Sequence, residues 1–193
     1  MVRFVLSLLM ILSLPAAGFS DQPDPQKWIQ VDAESQIAFS VNIGDRASEG
    51  QFQTFSSDIK FDPENLSKSR ILVRVDMTAI DADYQDVRNN IKTADWFDSE
   101  RFPEAIFESY NIRQLTADGF QAVGNLNLKG ITQQVALNFT LKEYSPPEKA
   151  VIVGQMMLKR LDFNVGQGQW KDTQFISNDV SLTVKLVAKG AGS

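Results

Sequence analysis

The chain contains no cysteine and no histidine. Without cysteine there is no disulfide, so an exported form would draw its stability from an apolar core. The two absences also exclude Ser-His-Asp and Cys-His nucleophiles, histidine-ligated zinc or copper, and haem held through histidine. Carboxylates, Lys, Tyr, Ser and Met remain, which is a poor set for catalysis. Positive charge is scarce too: 19 Lys+Arg stand against 24 Asp+Glu, a net charge of −5. An acidic chain with no basic stripe is not expected to bind nucleic acid or to dock electrostatically on anionic membranes. Beyond residue 20 there is no apolar run long enough to span a bilayer, and no repeat or interdomain linker.

The N-terminus is the one long apolar segment. Arg3 supplies a positive start, residues 4–14 are apolar apart from Ser7 and Ser13, and Pro15-Ala-Ala-Gly-Phe-Ser20 offers small residues for cleavage. The run is too short to cross a membrane and reads as a secretory signal peptide over 1–20, cleaved after Gly18 or Ser20. Its removal takes one of the 19 basic residues and no acid, so the net charge moves from −5 to −6. The remainder, roughly 170 residues, is long enough for one core, and a single domain is expected over 21–188. The tail 189–193, Lys-Gly-Ala-Gly-Ser, reads as flexible.

Alternation dominates the rest of the chain. A short strand around 28–31 precedes the turn Asp32-Ala-Glu-Ser35, and Ile37, Phe39, Val41 and Ile43 then alternate with small and polar residues. Residues 51–61 carry Phe52, Phe55, Ile59 and Phe61, and the phase shift between Phe52 and Phe55 predicts a bulge. Ile71, Val73 and Val75 form the next inward set. Further strands are expected near 104–113, 119–128, 132–142, 151–160 and 178–188, with hairpin turns at Asp118-Gly119 and Lys129-Gly130. Eight or nine antiparallel strands with hairpin spacing close into a barrel or split into a sandwich. The long strands, each with one apolar face, favour the barrel.

The inward faces set the capacity for a ligand. Phe120, Ala122, Gly124, Leu126 and Leu128 lie on one predicted inner face, and Ile152, Gly154, Met156 and Leu158 on another. Small residues in mid-strand leave volume for neighbouring side chains to fill or for a ligand to occupy, and periodicity does not choose between them.

The segment 81–109 breaks the β pattern. Asp83 is placed as a helix cap with Asp86 three residues on, and Tyr84, Val87 and Ile91 make one apolar stripe. Asp95 opens a second turn that carries Trp96 and Phe97, aromatics a surface loop would not keep without burying them. The segment reads as a lid over a barrel end. Its acids, Asp81 included, are better explained as caps than as catalysts. Gly166-Gln-Gly168 lacks a third glycine and a strand-to-helix setting, so it is a loop. The glycosylation patterns at Asn65 and Asn138 are chance matches.

Several pieces then carry a family resemblance. Asp95-Trp-Phe-Asp98, Arg101-Phe-Pro-Glu-Ala105, Phe107-Glu-Ser109 and Gly124-Asn-Leu-Asn-Leu-Lys-Gly-Ile-Thr132 with Val135 resemble the YceI-like polyisoprenoid-binding proteins. Trp28-Ile-Gln-Val-Asp32, Ser35, Phe39-Ser-Val41, Gly50-Gln-Phe52, Phe61-Asp62 and Asp162-Phe163 fall in matching order. The resemblance implies an all-β, extended eight-stranded antiparallel, lipocalin-like barrel with a short helical lid, exported to the periplasm. It also implies an isoprenoid-type lipid, a polyprenol or an isoprenoid quinone, held inside. The chain departs from the family at Asn90 and Glu34, near positions where histidine is common, so no histidine-dependent role transfers.

The expected ligand-binding wall combines the strand phases with the lid. From the first half of the barrel it takes Phe39, Val41, Phe52, Phe55 and Val73, and from the lid Tyr84, Val87, Ile91, Trp96 and Phe97. Phe107, Gly124, Leu126, Val135, Leu137 and Phe139 come next along the chain, and the last strands add Met156, Leu158, Phe163, Leu182 and Val184. No catalytic residue, metal or cofactor is expected. The partners expected are an apolar lipid and a transient membrane contact, with a homodimer left open. The alternative reading is a packed, non-enzymatic accessory barrel, associated with a membrane redox partner.

Overall fold

The computed structural model describes residues 23–192, so the expected signal peptide lies outside the described residues. Within them the chain forms β1 (Lys27–Gln30), β2 (Gln36–Ile43), β3 (Arg46–Phe52), β4 (Phe55–Lys60), β5 (Arg70–Asp76), β6 (Ile80–Ala82) and helix α1 (Gln85–Asn90). The second half supplies β7 (Glu104–Gln114), β8 (Gly119–Leu128), β9 (Ile131–Ser145), β10 (Lys149–Lys159) and β11 (Ile176–Gly190). All neighbours pair antiparallel.

These segments run as the eight strands of a closed barrel. β1 and β2 both lie along β11, joined by the turn Asp32–Glu34. β3 continues into β4 beside them, and β5 into β6. The backbone ladder bridges the breaks: Gln53 N–H donates to the Ala79 carbonyl at 2.8 Å, and Asp76 N–H to the Thr54 carbonyl at 3.0 Å. Ser35 mends the first break, donating its hydroxyl to the Val31 carbonyl at 2.8 Å and accepting from Val187 N–H at 3.0 Å. β1 pairs with both β11 and β4, and this closes the sheet on itself. Closure satisfies backbone groups that an open sheet would leave at its edges.

The phase shift predicted between Phe52 and Phe55 falls at the break between β3 and β4, so both aromatics turn inward. Three expectations need correction. β3 begins at Arg46, five residues before the strand expected from 51, because Ser48 and Gly50 hold the inward positions and give no apolar signal. The tail expected to be flexible from 189 is ordered through Gly190, since Lys189 and Gly190 pair with Ile29 and Trp28 to close the barrel. Asp83 does not cap α1: Tyr84 is the N-cap, and the Asp83 carboxylate accepts from Glu49 N–H at 3.1 Å.

The two ends of the barrel differ. At one end Phe61 meets Phe120 and Phe139 edge-on, at centroid distances of 5.4 and 5.7 Å, while Phe120 and Phe139 stack at 5.4 Å. Trp28 packs on Tyr144 at 5.4 Å and donates its indole N–H to the Phe61 carbonyl at 3.0 Å. Each such pair adds roughly 0.5–1.5 kcal/mol beyond area burial, so this aromatic floor is a firm closure. The opposite end collects the β2–β3 turn, residues 83–103, the Lys129-Gly130 turn and the loop 160–175.

Candidate functional site

The barrel is not filled above its floor. A cavity of about 520 Å³ extends from the interior to the end opposite the aromatic cluster. Its wall is apolar because each long strand turns alternate residues inward: Ile37, Phe39, Val41 and Ile43 from β2, and Val180, Leu182, Val184 and Leu186 from β11. These faces meet in register, with Leu182 opposite Phe39 and Val184 opposite Ile37. Across the barrel, Phe107 stands opposite Leu126 and Val73 on its two neighbouring strands.

Of the wall expected from the sequence, Phe39, Val41, Phe52, Phe55, Val73 and Phe107 border the cavity. So do Leu126, Leu137, Met156, Leu158, Phe163, Leu182 and Val184. Tyr84, Val87, Ile91, Trp96 and Phe97 border it from the lid side.

Gly124, Val135 and Phe139 do not, and each for a physical reason. Gly124 faces inward, but β7 crosses so close at its bulge that an added Cβ would meet the Glu108 carbonyl and approach the Phe107 ring to 2.8 Å. Val135, directly opposite Gly124, packs against the core instead of the open volume. Phe139 belongs to the floor.

The mouth is built from loops that pin one another. Lys129 Nζ donates to the Ala94 and Asn164 carbonyls, both at 2.7 Å, tying the lid side to the loop after β10. Burial draws the Lys129 pKa down, against the pull of Asp98 and Asp95. Gly166 N–H and Gln167 N–H both donate to the Asp95 carbonyl at 2.8 Å, and the Trp96 and Trp170 rings lie 5.9 Å apart.

Arg160 organises the rest of that loop. The residue is 4% exposed, and its guanidinium donates to the carbonyls of Val165, Gly166, Trp170, Ile176 and Ser177 at 2.9–3.0 Å. No carboxylate pairs with it among the described residues, and burial draws its pKa down. Its donors are consumed by backbone, so it holds the mouth in shape.

Arg160, Val165, Trp170 and Phe175 border the cavity and were not expected from periodicity. A loop has no period to read. The signal available was the same one that picked out Trp96 and Phe97: large aromatics at 170 and 175 in an otherwise polar loop. Asp86 and Asn90 also reach the cavity, on the side of α1 next to the apolar stripe. The acids of 81–109 do not converge: Asp81 lies 3.9 Å from Arg88, and no group of three or more acidic side chains is arranged to hold a metal among the described residues.

The geometry is shared with known proteins. A YceI-like domain model matches residues 28–188. A UPF0312 protein of Vibrio campbellii is 30% identical over 138 residues, covering 69% of this chain and 73% of its own length. The crystal structure of Burkholderia cenocepacia BcnA superposes with a TM-score of 0.78 at 28% identity, covering 83% of this chain and 99% of BcnA. A polyisoprenoid binding domain from Saccharophagus degradans, implicated in plant cell wall breakdown, shares the fold with a TM-score of 0.66 at 14% identity, over 86% of this chain and 99% of that domain.

Proposed function

Because the chain belongs to the YceI-like family, we propose that its barrel binds an apolar lipid of isoprenoid type, a polyprenol or isoprenoid quinone, and carries it in the periplasm. The observation that carries this reading is the apolar cavity of about 520 Å³, closed by an aromatic floor and bordered by a lid at its other end. Such a volume lies within the roughly 300–1,000 Å³ of small-molecule sites. The signal peptide expected over residues 1–20 supports export, and the polyisoprenoid binding of a protein with the same fold supports the ligand class. An unfilled barrel weighs against the packed accessory alternative.

Energetics favour a carrier over a tight store. Leaving water yields about 0.8 kcal/mol per buried methylene, or roughly 3–4 kcal/mol per isoprene unit. A bilayer offers the lipid nearly the same gain, so the protein exchanges ligand with membrane at little net cost.

The test is direct. The protein purified from its native host is extracted with solvent for mass spectrometry, and the stripped protein is titrated with geranylgeraniol. A prenyl lipid in the extract and saturable uptake are expected. An empty extract with no uptake would refute the carrier reading.

A further inference from the structure

We propose that the open end of the barrel docks on a zwitterionic phospholipid surface, with Phe175 and Tyr84 entering the headgroup boundary beside Arg46. The proposal rests on the lipid-binding reading above and names where the ligand would pass.

Two large, exposed apolar side chains border the cavity: Phe175, 55% exposed, and Tyr84, 45% exposed. The other exposed ones, Ile29, Tyr110, Leu115, Val153 and Met157, do not. Exposure of a bulky aromatic is costly in water, and here it occurs where the apolar interior opens. Backbone pairing holds the rim together. Gly44 N–H donates to the Phe175 carbonyl at 2.7 Å, Ile43 stands opposite both Ile176 and Arg46, and Asp83 N–H donates to the Glu49 carbonyl at 3.0 Å, which sets Tyr84 beside β3. Arg46 is exposed, borders the cavity, and makes no ion pair or side-chain hydrogen bond among the described residues.

Charge selects the occupant. The whole chain carries −5, yet the loops of the open end come close to neutral, with Asp45, Asp83, Asp86, Asp95, Asp98, Glu100, Asp162 and Asp172 against Arg46, Arg88, Lys92, Arg101, Lys129, Arg160 and Lys171. A nearly neutral rim is not repelled by a zwitterionic surface, and it has no basic cluster to select an anionic one. Aromatic side chains with a nearby Arg suit the membrane–water boundary, where one end is apolar and the other wet. A stable protein partner would need about 1,000 Å² or more of complementary interface, and two aromatics set among charges do not supply its core. With the rim seated on lipid, the cavity and the acyl region form one apolar path, and a ligand crosses without entering water.

The absence of cysteine makes the test clean. Single variants Phe175→Cys and Tyr84→Cys at the rim, and Leu115→Cys on the β7–β8 hairpin at the floor end, are labelled with the polarity-sensitive fluorophore NBD. Each is mixed with phosphatidylcholine vesicles, with and without doxyl-labelled phosphatidylcholine. A rim probe should shift to the blue on plain vesicles and lose emission on doxyl vesicles, while the Leu115→Cys probe does neither. No response at either rim position, or an equal response at 115, would overturn the docking surface. Geranylgeraniol uptake by the unlabelled chain is measured alongside: uptake without vesicle response refutes the docking surface alone, and vesicle response without uptake refutes the carrier reading alone.

Discussion

The ring of Phe39 lies against the backbone of Gly50, its opposite residue on the neighbouring strand, where any side chain would collide with it. A Cβ at residue 50 would also come within 2.6 Å of the Asp81 carbonyl, which is backbone and has little room to yield. The missing side chain lets Phe39 lie flat along the wall while Phe52 packs 5.5 Å away.

Gly50→Ala should therefore destabilise the protein by about 1–3 kcal/mol, the usual range for overpacking a core. Urea unfolding of the variant measures this. A change within error would mean that the wall at Phe39 repacks freely.

Gly124 and Leu182 should respond in opposite ways to enlargement. Gly124→Ala drives a Cβ into the Glu108 carbonyl and should reduce stability, because the collision is with the β7 backbone. Leu182→Trp adds volume from a partly buried wall position into open cavity. It should keep a near-native melting temperature and lose geranylgeraniol uptake. Retained uptake in folded Leu182→Trp would show that the ligand does not reach this part of the cavity.

Arg160→Lys tests the clasp at the mouth. Lysine keeps the charge but offers three donors from one point, so several of the carbonyls at 165, 166, 170, 176 and 177 lose their partner. A loss of about 1–3 kcal/mol is expected for each buried carbonyl left without a donor. Amide hydrogen exchange should rise first in 164–177, and uniform exchange across the barrel would contradict a local role.

Tyr144 sets an alkaline limit. Its phenol pKa is pushed up to about 12, first by burial and then by the negative charges of Asp62 and Glu64. A folded pKa above the unfolded value near 10 means that the contribution to stability is intact below pH about 10. It fades as pH climbs toward 12. Of the three tyrosines, one should ionise last in an ultraviolet titration, together with loss of β-sheet circular dichroism. Tyr144→Phe should remove that last step, and a step that persists would assign it elsewhere.

Much of the fold was legible because β-strands write their burial into a period of two. The expectation for 119–128 coincides with β8, and the inward sets on β2, β8, β10 and β11 follow the alternation. Legibility failed where inward positions carry no apolar side chain, as at Ser48 and Gly50, and where structure is aperiodic, as in the loop that Arg160 gathers. Gly124 shows a different limit: strand phase gives the direction a residue faces, but not how near the next strand lies.

Strand periodicity and composition were enough for the all-β class, the inward faces, the aromatic-rich lid and the absence of histidine and cysteine chemistry, since all of these are local or compositional. That the barrel encloses a cavity rather than a packed core emerged from the three-dimensional arrangement alone. It also showed that an aromatic floor closes one end and that the other end carries an aromatic rim. Those properties depend on which distant residues meet, as Trp28 meets Gly190 to close the sheet, and a period along one strand contains no information about the space between strands.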